Sequence, residues 1–331
     1  MPEFFNITGE QVRSVLGMRD AIGLMRQAFV AISNKEATVP LRSAIDIPEE
    51  AARALFMPVY VPVLGCIGVK VVSVYPNNSA LRGLPNIHGQ LLLIGAADGV
   101  PLCVMDAEYL TALRTGAASG VATDLLAVPY AKTLAIFGTG VQAFTQVAGV
   151  CAVRAIESIF IYGREARSSM DFAAVLGKEF GVNAFAGGPA DLRGADVICT
   201  ATNSRVPVLD GSDVKKGCHI NAIGSFKPDM QELPSALVVR ADLWVDQRAA
   251  ALSEAGDILV PLSEGLITGS HIRGELGELL SGGVGGRADG GVGGGIGGRV
   301  DGEAITLFKS LGNAVQDIYA AKFVYDKISD L

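Results

Sequence analysis

The sequence predicts an α/β fold with a parallel sheet, and three observations support this prediction. Short β-rich runs alternate with helical stretches from residue 133 to residue 245, a pattern typical of βαβ units. The glycine-rich turn Gly138-Thr139-Gly140-Val141-Gln142-Ala143 directly follows the first of these runs and opens a helical stretch. Between residues 39 and 104 the pattern is different, because strand-like runs are separated by Pro, Gly and Asn turns.

The first region is predicted to form a sheet with flanking helices. Thr8 and Gln11 have the spacing of a capping box, so a helix should begin after Thr8. Apolar residues recur at helical spacing over residues 18–33. The dipeptide Asp98-Gly99 is a strong hairpin signal. Strands are predicted at 54–58, 66–75, 89–94 and 101–105.

The second region is predicted to alternate strands and helices. An Ala- and Gly-rich stretch at 115–126 has the composition of a tightly packed helix, and a final helix is predicted at 305–327. Residues 282–302 are dominated by glycine and are predicted to be a flexible surface loop. The remaining strands are predicted at 133–137, 158–162, 197–200, 219–223 and 243–245, and the remaining helices at 142–153 and 172–180.

The glycine-rich turn has the GxGxxA pattern of a dinucleotide-binding βαβ unit. Gly138 permits a tight turn, Gly140 has no side chain to block a pyrophosphate, and Ala143 allows the helix to pack closely on the strand. The free N–H groups at the start of the helix favour bound phosphate. We therefore expect a Rossmann domain in which Gly138, Thr139, Gly140, Val141 and Gln142 contact the cofactor.

The end of the second strand indicates which cofactor is used. An acidic residue there favours NAD, whereas a nearby Arg accommodates the 2′-phosphate of NADP. The strand ends in Tyr162-Gly163-Arg164-Glu165, so Arg164 favours NADP(H), while Glu165 leaves NAD(H) possible. Thr200, Ala201 and Thr202 follow another strand and are predicted to line the same crevice, although small hydroxyl residues are also common in turns.

Composition excludes several functional classes. The chain has 331 residues and a formal net charge of -7, so nucleic acid and anionic membranes are poor partners. Five irregularly spaced cysteines and three scattered histidines predict neither disulfides nor a metal site. The N-terminal stretch lacks the features of a signal peptide, and no apolar run is long enough to span a bilayer. A cytoplasmic protein with reduced thiols is therefore expected.

Several stretches together resemble the ornithine cyclodeaminase/mu-crystallin family, and the resemblance covers nearly the whole chain in order. The most specific stretch is Leu110-Thr111-Ala112-Leu113-Arg114-Thr115-Gly116-Ala117-Ala118-Ser119, followed by the glycine-rich turn. The supporting stretches are Val69-Lys70-Val71, Tyr75-Pro76-Asn77-Asn78, Thr200-Ala201-Thr202 and Phe308-Lys309-Ser310-Leu311-Gly312.

The resemblance implies a Rossmann domain inserted in a discontinuous α+β domain. Residues 1–121 and 307–331 would form the substrate-binding and dimerisation domain of a homodimer, and residues 122–306 the NAD(P)-binding domain. Arg42, Lys70 and Arg114 would hold the carboxylate of a small imino or amino acid, with Lys70 also near the reacting imine. Asn86 is assigned to substrate binding, and His88 is either a catalytic or a hydrogen-bonded core histidine. Thr115 and Ser225 would lie at the cofactor.

The residues themselves support an anion site. Arginine binds carboxylates through paired, charge-assisted hydrogen bonds. A lysine near two arginines should have a lowered pKa, because like charges disfavour its protonated form. Lys70 could then donate a proton near neutral pH while hydride from the nicotinamide attacks the imine carbon.

One departure from the family pattern separates the possible activities. Ornithine cyclodeaminases have a catalytic Asp two residues after the glycine at position 224, where this chain has Phe226. Asp229 lies three residues later, where the reductase and crystallin members have a similar Pro-Asp pair. We therefore predict a reductase of pyrroline-2-carboxylate or piperideine-2-carboxylate. The alternatives are an alanine dehydrogenase-type enzyme, a cyclodeaminase-type or hydroxyproline dehydratase lyase, and a crystallin-like binding protein.

Overall fold

The chain folds into two compact units. The computed structural model describes residues 4–40, 42–282, 298–299 and 301–330. The first unit comprises Met1–Arg114 and Gly312–Leu331, and the second comprises Thr115–Leu311. Most of the predicted flexible loop at 282–302 lies outside the described residues. Within the described part of the chain, no helix is both long enough and apolar enough to cross a membrane.

The first unit contains a six-stranded sheet and helices that pack on it. The sheet order is β1-β6-β5-β4-β3-β2, with β1 parallel to β6 and the other neighbours antiparallel. The strands are β1 (Phe5–Ile7), β2 (Ser43–Ile47), β3 (Ala52–Val61), β4 (Cys66–Val74), β5 (Ile87–Gly95) and β6 (Pro101–Asp106). The helices wholly within this unit are α1 (Gly9–Val15), α2 (Met18–Ser33), α3 (Asn78–Arg82) and α12 (Ala314–Ser329), and α12 packs against α2, β3, β4 and β5.

The local signals of this region have the expected structures. Thr8 and Gln11 form the capping box of α1. The hairpin between β5 and β6 turns at Gly99, whose φ of 74° lies in the left-handed region that glycine adopts most readily. The helix predicted from residue 115 begins earlier, since α4 spans Glu108–Leu126 and includes the boundary between the two units.

The second unit contains an eight-stranded parallel sheet. Its order is β13-β12-β14-β11-β10-β7-β8-β9. The strands are β7 (Thr133–Phe137), β8 (Ser158–Tyr162), β9 (Asn183–Ala186), β10 (Val197–Thr200), β11 (His219–Ala222), β12 (Asp242–Val245), β13 (Ile272–Glu275) and β14 (Thr306–Lys309). The helices are α5 (Val141–Val153), α6 (Ala166–Phe180), α7 (Pro189–Leu192), α8 (Ser235–Arg240), α9 (Arg248–Glu254), α10 (Gly256–Ser263) and α11 (Leu276–Leu280).

Both faces of this sheet are buried. Leu134 and Ile136 of β7 belong to one hydrophobic cluster, whereas Ala135 and Phe137 of the same strand belong to another. Because successive side chains of a strand point to opposite faces, each cluster covers one face. This arrangement explains the continuous apolar runs in the sequence, which are typical of parallel sheets. The predicted α/β class with a Rossmann-type sheet is confirmed.

The prediction of one continuous helix over 305–327 is wrong. Thr306–Lys309 is a strand, β14, which pairs with β11 on one side and β12 on the other, and the helix α12 begins only at Ala314. All four residues of β14 are buried. Hydrogen bonding to two neighbouring strands, which sequence spacing does not reveal, stabilises the extended conformation. The two compact units divide after residues 114 and 311, and the domain boundaries at 121 and 306 remain predictions.

Arg299 falls within the segment predicted to be a loop without fixed structure, yet it is buried. Its guanidinium donates to the carbonyl of Leu126 at 2.6 Å and to that of Gly217 at 3.1 Å. Its side chain also donates to the hydroxyl of Thr306 at 3.2 Å. A buried guanidinium needs such acceptors. Arg299 therefore fixes the end of this segment to the sheet.

Candidate functional site

Lys70 lies in the middle of the first unit's sheet, and its side chain is only 3% exposed. It is a residue of β4, between Met57 of β3 and Leu91 of β5. Cys66 and Gly68, which share its face of the strand, are also buried. Burial of an unpaired ammonium group is very costly, so a lysine here requires an anionic partner or must lose its proton.

The partner of Lys70 is Asp317, a residue that the sequence analysis did not identify. The Lys70 Nζ lies 2.6 Å from the Asp317 Oδ2, and the Arg114 Nε donates to the Asp317 Oδ1 at 2.9 Å. The Arg114 Nη1 also donates to the Oε1 of Gln316 at 2.7 Å. Asp317 is 1% exposed and Arg114 is 5% exposed. One buried carboxylate is therefore shared by two buried cations, and we call these three residues the Lys70–Asp317–Arg114 cluster.

Two glycines allow this cluster to form. A Cβ atom at Gly68 would lie 3.1 Å from the side chain of Ile318, so glycine at this position lets α12 approach β4 closely. Gly312 has a φ of 71°, and a Cβ atom there would overlap the Arg114 guanidinium. Gly312 ends the Phe308–Gly312 stretch noted in the sequence. Its conformation and lack of side chain leave room for the arginine.

The surroundings change the acidity of two members of the cluster. The pKa of Lys70 is lowered to about 8, mainly by burial and also by the charges of Arg114 and Arg42, while Asp317 opposes these effects. Burial alone would raise the pKa of Asp317, but Arg114 and Lys70 hold it below its ordinary value. The predicted lowering of the Lys70 pKa is confirmed, although burial rather than like charge is its largest cause.

The charge of the cluster fits an anionic ligand. With Asp317 ionised and both cations protonated, the three side chains carry a net charge of +1, and Arg42 lies close enough to influence Lys70. A small carboxylate would neutralise this excess through charge-assisted hydrogen bonds. A lysine with a pKa of about 8 is also suited to donate a proton near neutral pH.

Two other predicted site residues lie at the start of β5: His88 is its second residue, and Asn86 directly precedes the strand. The Nδ1 of His88 is 3.3 Å from the Oε1 of Glu108, and the His88 side chain is 47% exposed. His88 is therefore not a core histidine. Asn86 is exposed, and its Oδ1 accepts a hydrogen bond from the N–H of Ser79 at 2.8 Å. Their assigned roles in catalysis and substrate binding remain predictions.

The glycine-rich turn in the second unit has the geometry that a dinucleotide requires. Gly138 directly follows β7 with a φ of 111°, and a Cβ atom there would lie 2.6 Å from the carbonyl oxygen of Ala201. A Cβ atom at Gly140 would meet no atom within 4 Å. Gly140 also precedes the first residue of α5 and provides no side-chain cap, so the N–H groups of the first turn can bind an anion. The residues present therefore fit a pyrophosphate.

The sheet order defines the crevice beside this turn. After β7 the chain adds β8 and β9 on one side, and later adds β10 and β11 on the other. In open parallel sheets, ligands bind at the carboxyl ends of the strands where the order reverses, which here is between β7 and β10. Thr139 belongs to the turn at this point, and the 71%-exposed Val141 and Gln142 are the first two residues of α5.

Two further predicted cofactor residues have different surroundings. Arg164 is exposed just beyond the end of β8, next to Glu165, which is the N-cap residue of α6. Thr115 is buried in α4, and its carbonyl accepts a hydrogen bond from the Nε2 of Gln146 at 3.4 Å.

The hydroxyl groups of Thr200, Thr202 and Ser225 form hydrogen bonds within the protein. The first two donate to the carboxylate of Glu232, each at 2.8 Å. The hydroxyl of Ser225 donates to the carbonyl of Met230 at 2.8 Å, and Ser225 is fully buried. The donor of each hydroxyl is therefore used within the protein, and the predicted contacts of these residues with a cofactor remain predictions. Sequence reasoning missed Glu232, whose only signal was its position in the stretch after Phe226.

Comparisons with known proteins show similarity to one family over nearly the whole chain. The ornithine cyclodeaminase/mu-crystallin family model matches residues 6–331. A Delta(1)-pyrroline-2-carboxylate reductase of Bacillus cereus is 39% identical over 324 residues, covering 97% of this chain and 95% of the relative.

Solved structures show the same similarity. The Delta(1)-pyrroline-2-carboxylate reductase of Thermococcus litoralis, in complex with NADH and L-proline, has a TM-score of 0.89 at 35% identity and covers 98% of this chain and 97% of its own. An archaeal alanine dehydrogenase dimer with bound NAD has a TM-score of 0.88 at 31% identity. The match covers 98% of this chain and 95% of the alanine dehydrogenase chain.

Proposed function

The chain belongs to the ornithine cyclodeaminase/mu-crystallin family, and on that premise we propose that it is an NAD(P)H-dependent oxidoreductase acting on CH–NH bonds. Its substrate is a small cyclic imino acid such as pyrroline-2-carboxylate or piperideine-2-carboxylate, which it reduces to the cyclic amino acid. The observation that carries this proposal is the buried Lys70–Asp317–Arg114 cluster, with its net positive charge and a lysine of lowered pKa. The relatives named as pyrroline-2-carboxylate reductases support the same substrate class.

The chemistry divides between cofactor and protein. The glycine-rich turn at Gly138 and Gly140 would hold the cofactor, and the chemistry that NAD(P)H would supply when bound is a hydride for the imine carbon. Arg114 and Arg42 hold the substrate carboxylate and so fix the position of the imine. The Nζ of Lys70 provides the proton that keeps the imine nitrogen cationic, which makes the adjacent carbon electrophilic. Asp317 keeps Lys70 and Arg114 in place and stabilises their charges in a buried environment.

NADP(H) is the favoured cofactor and NAD(H) the alternative. Arg164 at the end of β8 favours the 2′-phosphate, although the similar solved structures contain NADH or NAD. The dissociation constants of NADPH and NADH for wild type and for Arg164→Ser distinguish the two. If Arg164 binds the 2′-phosphate, the substitution should raise the dissociation constant of NADPH about tenfold and leave that of NADH nearly unchanged. Equal effects on both cofactors would assign Arg164 to the solvated surface.

The activity itself is tested with a substrate panel. Oxidation of NADPH and NADH is followed spectrophotometrically with five- and six-membered cyclic imino acids, and with pyruvate plus ammonia. We expect rapid oxidation with at least one cyclic imino acid. No turnover with any of them would refute the proposed function.

A Lys70→Met variant tests the role of the cluster. The variant keeps an apolar side chain of similar length, so we expect activity to collapse while NAD(P)H still binds. Lys322→Met is the matched control, because the Lys322 Nζ also pairs with an aspartate, Asp326, at 2.6 Å and lies on α12. The control should remain active. Retained turnover in Lys70→Met would remove Lys70 from the mechanism.

Alanine dehydrogenase activity is the second candidate function. The similarity to the archaeal alanine dehydrogenase dimer is nearly as strong as that to the reductase. A carboxylate-binding cluster would serve pyruvate as well as a cyclic imino acid. Turnover that depends on pyruvate and ammonia, without turnover of either cyclic imino acid, would identify this activity. Ammonia release without net cofactor oxidation would instead indicate a cyclodeaminase-type lyase.

A homodimer is the assembly that we propose. The face of β4 opposite Lys70 carries Ile67, Val69 and Val71, each partly exposed, and Ile45 of β2 is 56% exposed. An exposed apolar sheet face is typical of an interface. Light scattering coupled to size-exclusion chromatography should give twice the mass of one chain, and a single-chain mass would refute the proposal.

A further inference from the structure

Glu232 is a buried carboxylate that connects two loops at the carboxyl ends of β10 and β11. It is fully buried. Its Oε1 accepts from the N–H of Thr202 at 2.6 Å and from the hydroxyl of Thr202 at 2.8 Å. Its Oε2 accepts from the hydroxyl of Thr200 at 2.8 Å and from the N–H of Gly224 at 2.7 Å. One side chain therefore joins the loop after β10 to the loop after β11.

Glu232 is itself held by a second layer of buried charges. The Oδ1 of Asp257 accepts from the N–H groups of Glu232 and Leu233 at 2.7 and 3.0 Å. The Oδ2 of Asp257 pairs with the Nζ of Lys309 at 3.1 Å, and both side chains are 1% exposed. Burial raises the pKa of Glu232, whereas Lys309 opposes that rise. The single positive charge of Lys309 thus supports two carboxylates.

The loop that Glu232 holds forms one wall of the dinucleotide crevice. The carbonyl of Ala201, between the two threonines, lies where a Cβ atom at Gly138 would be only 2.6 Å away. The loop and the glycine-rich turn therefore meet at the point where the strand order reverses. In a Rossmann fold the β7–α5–β8 half takes the adenosine end of the cofactor, so the nicotinamide end extends toward β10 and β11.

We propose that Glu232 is the positioning residue for the nicotinamide half of the cofactor, acting by clamping the Thr200–Thr202 loop to Gly224. The inference rests on the proposed function, because it assumes that a nicotinamide dinucleotide is the ligand of this crevice. Glu232 itself does not touch the cofactor. It determines the course of the two loops against which the nicotinamide end is held.

The decisive variant is Glu232→Gln. Each carboxylate oxygen accepts a main-chain N–H, from Thr202 or from Gly224, and a Gln NH₂ group cannot accept either one. Whichever way the amide is oriented, one loop loses its anchor. The loops would then have to be ordered by the cofactor at a cost in affinity. We expect the dissociation constant of the reduced nicotinamide dinucleotide to rise about tenfold, while that of ADP-ribose, which lacks nicotinamide, is unchanged.

The matched control is Asp196→Asn, at the opposite end of β10. The Oδ2 of Asp196 also accepts two main-chain N–H groups, from Lys132 at 2.8 Å and from Thr133 at 3.0 Å. This variant should lower the melting temperature without changing the ratio of the two affinities. A second variant, Thr200→Val, loses only one hydroxyl donor and retains both main-chain hydrogen bonds. We expect this variant to fold even if Glu232→Gln does not. Its binding of the dinucleotide should be about threefold weaker, and its binding of ADP-ribose should be unchanged.

Ligand binding is measured by titration calorimetry on the full chain, and kcat and KM are measured alongside. Selective weakening of the dinucleotide in Glu232→Gln, or in Thr200→Val where the former does not fold, supports the proposal. Equal weakening of dinucleotide and ADP-ribose would assign Glu232 a merely structural role, and so would unchanged binding of both. A wild-type chain that binds both the dinucleotide and ADP-ribose but reduces no imino or keto acid refutes the proposed function and leaves this comparison measurable. A wild-type chain that binds no nicotinamide dinucleotide refutes both proposals.

Discussion

An Asp317→Asn variant removes one negative charge from the Lys70–Asp317–Arg114 cluster and hardly changes the size of the side chain. The Oδ1 of the new Asn can still accept from one cation, but its NH₂ group then faces the other. Both cations are at least 95% buried, so water cannot replace the lost partner. Removing one member of a buried ion pair typically costs about 3–5 kcal/mol, which is the loss of stability that we expect near pH 7.

The variant should also change how activity depends on pH. Asp317 raises the pKa of Lys70 toward its present value of about 8, so its loss must lower that pKa further. An opposite charge in contact typically shifts a pKa by about 1–3 units. If protonated Lys70 is the proton donor, kcat/KM of wild type should fall as the pH rises through about 8. In Asp317→Asn the same fall should begin about 1–3 pH units lower.

The stability of the wild type should depend on pH with a definite sign. The Lys70 pKa of about 8 in the folded state is below the ordinary 10.5, so the unfolded chain binds more protons between these values. Stability from this group therefore rises as the pH rises from about 8 to 10.5, by about 3 kcal/mol in total. In the variant, this rise should begin at a lower pH.

Two measurements check these expectations. Initial rates are recorded across the pH range, and urea unfolding is followed at each pH. Asp326→Asn is the control, because Asp326 also pairs with a lysine on α12 but its side chain is 49% exposed, and its loss should cost less than about 1 kcal/mol. If kcat/KM of Asp317→Asn falls at the same pH as that of the wild type, Asp317 does not control the protonation of Lys70, and the reasoning is refuted.

Further predictions concern stability and packing. In Gly149→Ala, the new Cβ would overlap a main-chain carbonyl of α4, so we expect a loss of about 3 kcal/mol on denaturant unfolding. A Cβ atom at Gly23 of α2 would meet no atom within 4 Å, so Gly23→Ala should instead gain about 0.5–1 kcal/mol of stability. A change of the same sign in both glycine variants would contradict the packing argument. The Arg154 guanidinium donates to four main-chain carbonyls at and beyond the end of α4, so Arg154→Met should cost about 3 kcal/mol. Arg167→Met is the control, because the Arg167 side chain is 81% exposed, and it should change the unfolding midpoint little. Equal losses of stability in the two arginine variants would refute the role of Arg154 in capping the end of α4.

Several elements could be predicted from the sequence because they depend on interactions between residues that are close in sequence. The capping box of Thr8 and Gln11 and the Asp98-Gly99 turn depend only on residues within a few positions of each other. The glycine-rich turn after β7 is also a local motif, because positive φ at Gly138 and open space at Gly140 follow from the absence of side chains. The alternation of strand-like runs and helical stretches from residue 133 to residue 245 indicated the parallel sheet in the same way.

The partners of the functional residues were decided by the tertiary structure. Asp317 meets Lys70 and Arg114 only because α12 packs on β4, and nothing in its neighbouring residues indicates that contact. Glu232 likewise appeared in the sequence only as part of a loop. Residues 306–309 could be predicted as a helix because their β pairing is with distant strands. The sequence by itself determined the local backbone conformations and the residue types available for chemistry. Which charges neutralise each other depends on contacts between distant segments, and these exist only once the chain has packed.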